Sequence, residues 1–95
     1  MYGLVAKLTA ASGRRGELAE ILARCSPEMP GCISYVIAED LVERDILWVT
    51  EIWESEESHA AAVKMPAVQK AIVDARPRIA VFEKVATTRP IRGVK

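Results

Sequence analysis

The run Ile46-Leu47-Trp48-Val49-Thr50-Glu51-Ile52-Trp53-Glu54 constrains this chain most, because it is apolar on both sides of an extended strand. Successive side chains of a strand point to opposite faces. Leu47, Val49 and Trp53 then share one face, and Ile46, Trp48 and Ile52 share the other. A strand that is apolar on both faces is covered on both faces. Helices of the same subunit cover one of them. The other needs a second layer, and a second copy of the same sheet is the simplest source. Ninety-five residues make one domain, over 1–95, with room for one thin core, yet 51% of them are hydrophobic. A homodimer is therefore expected.

The rest of the chain supplies the sheet and its cover. Tyr2, Leu4, Ala6 and Leu8 alternate with Gly3, Val5, Lys7 and Thr9, which is strand periodicity. Ser12-Gly13 breaks the strand and suits a helix start. Leu18, Ile21, Leu22 and Cys25 then recur at helical spacing over roughly Arg14 to Ser26. Pro27 and Pro30-Gly31 end that helix. Cys32 to Glu39 reads as a second strand, Leu41 to Asp45 as a charged loop, and Ile46 to Glu54 as the third strand. Ser55 caps a short helix with Glu56 and Glu57 in its first turn, where the helix dipole favours acids. Pro66 suits a first helical position and opens another helix with Val68, Ala71, Ile72 and Ala75 on one stripe. Pro77 stops or kinks it, and Val81 to Thr88 is a fourth strand. The order is that of an α+β, ferredoxin-like βαββαβ domain: a four-stranded antiparallel sheet with helices on one face.

Several function classes fall away. The chain has 13 basic and 13 acidic residues and no basic stripe, so a nucleic acid or an anionic membrane is not an expected partner. No stretch reads as a signal peptide or a bilayer span, and two cysteines, Cys25 and Cys32, are too few for a disulfide framework. A cytoplasmic location is the default reading. One histidine and no Cys-x-x-Cys spacing argue against a metal site, and no glycine-rich phosphate loop follows a strand.

Two segments carry a family resemblance: Met29-Pro30-Gly31-Cys32-Ile33-Ser34-Tyr35, and Leu47 to Ser55 with its Glu51-x-Trp53-x-Ser55 ending. With the strand start Met1-Tyr2-Gly3-Leu4-Val5-Ala6-Lys7, His59 and Pro66, the chain resembles the antibiotic biosynthesis monooxygenase family over nearly its whole length. It is most similar to quinol monooxygenase-like members of the dimeric α/β barrel superfamily. The resemblance implies two sheets pressed into a dimeric α/β barrel, with a ligand cavity in each subunit between its own sheet and helices. It also implies oxidation of a quinol or another electron-rich small aromatic molecule by oxygen, with no cofactor, neither metal nor flavin. Deprotonated, such a substrate supplies the electrons itself, so the protein need only bind it, exclude water and help remove a proton.

Within that frame the candidate catalytic residues are His59 and Glu51, and the candidate substrate-binding residues are Trp53 and Tyr35. Glu51 shares a face with Trp53, and desolvation there disfavours its charged form, which suits proton abstraction. The alternative for Glu51 is an ion pair with Arg76, Arg78 or Arg89. Trp53 is either a wall for a flat ligand or core packing. His59 titrates near neutral pH and follows Trp53 by six residues, so it points back at the cavity or out to solvent. Tyr35 either binds a phenolic oxygen or is a buried tyrosine with its hydroxyl engaged. Cys25 and Cys32 read as small apolar groups. There are also departures from the family pattern. Ala62 and Ala67 stand where many members carry histidine or aromatic residues. There is no Asn, and Ile72 replaces the axial histidine of haem-degrading relatives. The remaining polar set is Glu51, His59, Tyr35 and Arg78. Two other readings stay open: a non-catalytic dimeric barrel that binds a small ligand, and an isomerase of a small signalling metabolite.

Overall fold

The computed structural model describes residues 1–24 and 29–93. Along the chain come β1 (Tyr2–Ala10), α1 (Arg15–Arg24), β2 (Cys32–Glu39), β3 (Ile46–Trp53), α2 (Glu56–Val63), α3 (Pro66–Ala75), a 3-10 turn (Arg76–Arg78) and β4 (Ile79–Thr88). The strands form one sheet in the order β2-β3-β1-β4, every neighbouring pair antiparallel. This is the α+β, ferredoxin-like arrangement expected from the sequence.

The period-two pattern decides which side of each strand enters the core. Leu4, Ala6, Leu8 and Ala10 of β1 are buried, whereas Val5, Lys7 and Thr9 between them are only partly so. Ala6, Leu8 and Ala10 pack with Leu47 and Val49 of β3, Leu18 and Ile21 of α1, and Ala75 of α3. A second cluster joins Trp53 to Met29, Ala62 and Val68. Side chains that leave water on this scale supply most of a small domain's stability, at about 1.5–3 kcal/mol for each large apolar residue.

Two boundaries differ from expectation. Ser12-Gly13 forms a turn, with Gly13 at φ +76° donating its N–H to Asp45 Oδ1 at 3.2 Å, and α1 begins only at Arg15. The expected end of that helix, with Cys25, Ser26 and Pro27, lies outside the described residues. β4 starts at Ile79 rather than Val81. Pro77 sits inside the 3-10 turn, which delivers the chain straight onto β1, where Ile79 pairs with Ala10.

The β2–β3 connection is pinned at its base. Asp40 accepts hydrogen bonds from the N–H of Glu43 (2.7 Å), from Trp48 Nε1 (2.8 Å) and from the N–H of Val42 (3.0 Å). These three donors hold its carboxyl below the usual carboxylate range. Arg15 ties the same loop to α1 through the carbonyls of Glu43 and Asp40 and through an ion pair with Glu39 at 3.1 Å.

The face turned away from the helices carries Val5, Val36, Ile46, Trp48, Ile52 and Val81 by strand register. Val36 is 52% exposed and Val81 47% exposed. Lys7 lies over the Trp48 ring at 5.8 Å. Among the described residues no helix is long and apolar enough to cross a membrane.

Candidate functional site

β3 ends at Trp53, and two residues later Ser55 opens α2. Its backbone is extended (φ −156°, ψ 164°), and its Oγ accepts the N–H of Ser58 at 3.1 Å, satisfying a donor that the helix leaves free. The tight junction places His59, one turn into α2, beside the strand end it has just left. Gly31 sets the approach of α2 to β2. It sits at φ +82°, its carbonyl accepts the Glu54 N–H at 2.9 Å, and a Cβ built on it would lie 2.7 Å from Ser58 Cβ. Gly31→Ala therefore meets both left-handed backbone strain and a side-chain overlap next to His59. Differential scanning calorimetry is expected to show a destabilisation of about 1–3 kcal/mol, a fall in midpoint on the order of 10 °C for a domain this small.

Trp53, 1% exposed, donates its indole N–H to Glu51 Oε1 at 2.9 Å. The same Oε1 lies 4.0 Å from His59 Nε2, with both side chains largely shielded from water. The Trp53 and His59 rings meet in a T-shaped pair, with centroids 5.3 Å apart, and Tyr2 stands on another side of the imidazole at 5.8 Å. Tyr35 is the residue of β2 directly opposite Glu51. Tyr35, Glu51, Trp53 and His59 all line one cavity of about 510 Å³ between the sheet and the α2–α3 layer. Its remaining walls are mostly aliphatic, with Met29, Val68 and Ile72 beside Trp53 and with Phe82 on β4. A recess of about 140 Å³ adjoins it under Tyr35 and Phe82 and reaches Lys84. Arrangements of this kind, apolar with few polar groups, suit a small organic ligand.

The ion pair offered as the alternative for Glu51 does not form with any of the three arginines. Arg78 is engaged by Glu17 (3.3 Å) and by the carbonyl of Asp74 (2.7 Å), and it is not part of the cavity wall. Arg89 lines a separate surface cleft with Thr87 and Thr88. Arg76 lines the cavity itself, without bonding to Glu51. The polar set expected from the sequence is thus corrected by one member, Arg76 in place of Arg78. Backbone direction explains this: Arg78 follows the 3-10 turn back toward α1, while Arg76 still belongs to the end of α3. Ala62, 2% exposed, and Ile72 both line the cavity, whereas Ala67 is exposed on α3 and does not.

Cys32 is only partly buried. Burial pushes its thiol upward, the negative charge of Glu51 adds to this, and a hydrogen bond to the Ser34 carbonyl works the other way. A thiol held protonated is a poor nucleophile, in keeping with the apolar role expected of it. Cys25 lies outside the described residues. Among the described residues no three His, Cys, Asp or Glu side chains gather as metal ligands would. Tyr2 and Phe82 join the site without having been singled out by any motif. For Tyr2 the β1 alternation carries a signal, since it puts the ring on the Leu4 face. For Phe82 there is none, because the facing of β4 depends on its register with β1.

A family profile described as antibiotic biosynthesis monooxygenase matches residues 1–73. Among solved structures, a candidate antibiotic biosynthesis monooxygenase from Chloroflexus aurantiacus J-10-fl shares 43% identity, with a TM-score of 0.93 over 99% of this chain and 98% of that one. Two more distant structures carry the same kind of name. One, from Deinococcus radiodurans, is 18% identical, with a TM-score of 0.82 over 100% and 97% of the two chains. The other, from Nitrosomonas europaea, is 12% identical, with a TM-score of 0.86 over 97% and 100%. At those identities the likeness is one of fold. No match is found among curated proteins.

Proposed function

The chain belongs to the antibiotic biosynthesis monooxygenase family, and on that footing we propose that it is a cofactor-independent monooxygenase acting on a quinol or a related electron-rich aromatic. The observation that carries this reading is the convergence of a carboxylate, an imidazole and an indole on one otherwise apolar cavity. A flat hydroxyaromatic enters between the sheet and α3. His59 takes the hydroxyl proton, and Glu51, fixed by the Trp53 indole and 4.0 Å from Nε2, stabilises the resulting imidazolium. The bound anion then reduces oxygen. For a hydroquinone the balance is one quinol and one oxygen molecule giving one hydroxyquinone and one water: one oxygen atom enters the ring, the other leaves as water, and all four electrons come from the substrate. The apolar walls keep water from the anion in the meantime.

Oxygen uptake by the purified protein with a panel of reduced quinones tests this, with products identified by mass spectrometry. A rate above the uncatalysed background, with a product heavier by oxygen, is expected. A second reading has its own support: Ala62 leaves the cavity roomy and short of polar groups where many relatives carry larger side chains. On that reading the protein binds such a ligand and returns it unchanged after long incubation in air.

We further infer that the helix-free face meets its twin in a homodimer. Four strands spaced by ~4.8 Å and about eight residues at ~3.3 Å give a face on the order of 500 Å². That is as large as the largest apolar patches monomers leave in water.

A further inference from the structure

We propose that the cavity selects a hydroxyaromatic bearing a carboxylate at the end remote from its hydroxyl, and that Arg76 is the residue that selects it. This rests on the proposed role of Glu51 and His59 in receiving the hydroxyl end. Strand register lays out the length of the cavity: Glu51 lies opposite Leu4 of β1, Lys84 opposite Ala6, Phe82 opposite Leu8 and Ile79 opposite Ala10. Leu4 and Ala10 are six residues apart, roughly 20 Å along a strand. Arg76 precedes Ile79 by three residues. The carboxylate–imidazole pair and the guanidinium therefore occupy opposite ends of an apolar slot. Allowing for the reach of both side chains, the span between them is on the order of 10 Å, close to the long axis of two fused rings with a substituent at each end.

The guanidinium is also uncommitted. Arg15 is tied to Glu39 and Arg78 to Glu17, but Arg76 makes no ion pair or side-chain hydrogen bond among the described residues. Its backbone N–H continues α3 to the carbonyl of Ile72, so the charge sits at a helix C-terminus, where the dipole favours a cation. It is exposed, and so is Phe82 (58%), which puts the mouth of the cavity at this end. A planar cation at the mouth of an apolar slot recognises a carboxylate in bidentate fashion and costs little desolvation while the slot is empty. Lys84, the other cation near the cavity, belongs to the recess and lies one row of side chains from Glu51, at the wrong end for this task.

Calorimetric titration of the intact protein with 2-naphthol and with 6-hydroxy-2-naphthoate, at pH 7 and low salt, tests the assignment. The naphthoate is expected to bind at least about tenfold more tightly, the size of a charge-assisted hydrogen bond. That preference should shrink with added salt. Arg76→Gln should abolish it without altering 2-naphthol affinity, Arg76→Lys should keep part of it, and Lys84→Gln should leave it intact. Equal affinity for the two ligands in the unaltered protein, or a preference that survives Arg76→Gln, overturns the proposal while 2-naphthol binding still upholds the aromatic cavity. If neither ligand binds, the aromatic reading of the cavity fails and this proposal falls with it.

Discussion

Replacing His59 by alanine is expected to slow oxygen uptake with the best quinol substrate by roughly 10²- to 10⁴-fold, the range that a positioned proton acceptor contributes. The fold should survive the change. His59 lies in the middle of α2, where alanine is the best helix former, and its contacts are edge contacts to Trp53 and Tyr2 rather than core packing. Glu51→Gln separates two roles of the carboxylate. The amide oxygen still accepts the Trp53 indole N–H, so the shape of the site is kept, but the negative charge 4.0 Å from Nε2 is gone. At that distance a charge pair is worth about 1 kcal/mol in water and about 4 kcal/mol at an effective dielectric of 20. A partly shielded pair falls between, so the expected loss in kcat is roughly ten- to a few hundredfold, smaller than that of His59→Ala. Stopped-flow rates for the two variants, with circular dichroism to verify folding, decide the matter. If both run at the unaltered rate, His59 and Glu51 are not the proton-transfer pair.

Much of this site is legible in the sequence because it hangs on the parity of one strand. Glu51 and Trp53 share a face because they are two apart, and Ser55 caps a helix because serine competes well for free N–H groups. His59 follows as the residue one turn on. These are local rules, and the observed geometry respects them. Local rules do not supply the register between strands. That Tyr35 stands opposite Glu51 depends on the slip at Cys32–Ser34, and that Phe82 faces the cavity depends on the irregularities of the β1–β4 pairing. The same limit explains Arg76 and Arg78. Pro77 between them announces an interruption, but whether the chain then turns toward α1 or toward the cavity is settled by tertiary packing. Ser12 shows the converse. Its side chain is well suited to cap a helix, yet it lies in a turn, because Gly13 beside it adopts a positive φ and reaches Asp45.

Ile52→Arg is expected to convert a homodimer into a monomer. The prediction starts from β3, whose helix-facing residues Leu47, Val49 and Trp53 are buried in the chain itself, while Ile46, Trp48 and Ile52 have no helix above them. Ile52 pairs with Gly3 on one side and Ser34 on the other, two small neighbours that offer an arginine no carboxylate. In the single chain the new side chain reaches water, so the fold should persist. Pressed against a second sheet, the same guanidinium is buried without a partner. Each copy brings one, and an uncompensated buried charge costs about 3–5 kcal/mol. The dimer should therefore weaken by at least about a hundredfold. Sedimentation velocity at protein concentrations of roughly 1–100 µM, the range in which a specific dimer of this kind assembles, reads this directly: the unaltered protein as a dimer, Ile52→Arg as a monomer with an unchanged far-ultraviolet spectrum. The cavity lies on the other side of the sheet, so 2-naphthol should bind the monomeric variant with little loss. Were the unaltered protein itself a monodisperse monomer at those concentrations, the apolar face would be left facing water and the two-layer assembly would have to be abandoned.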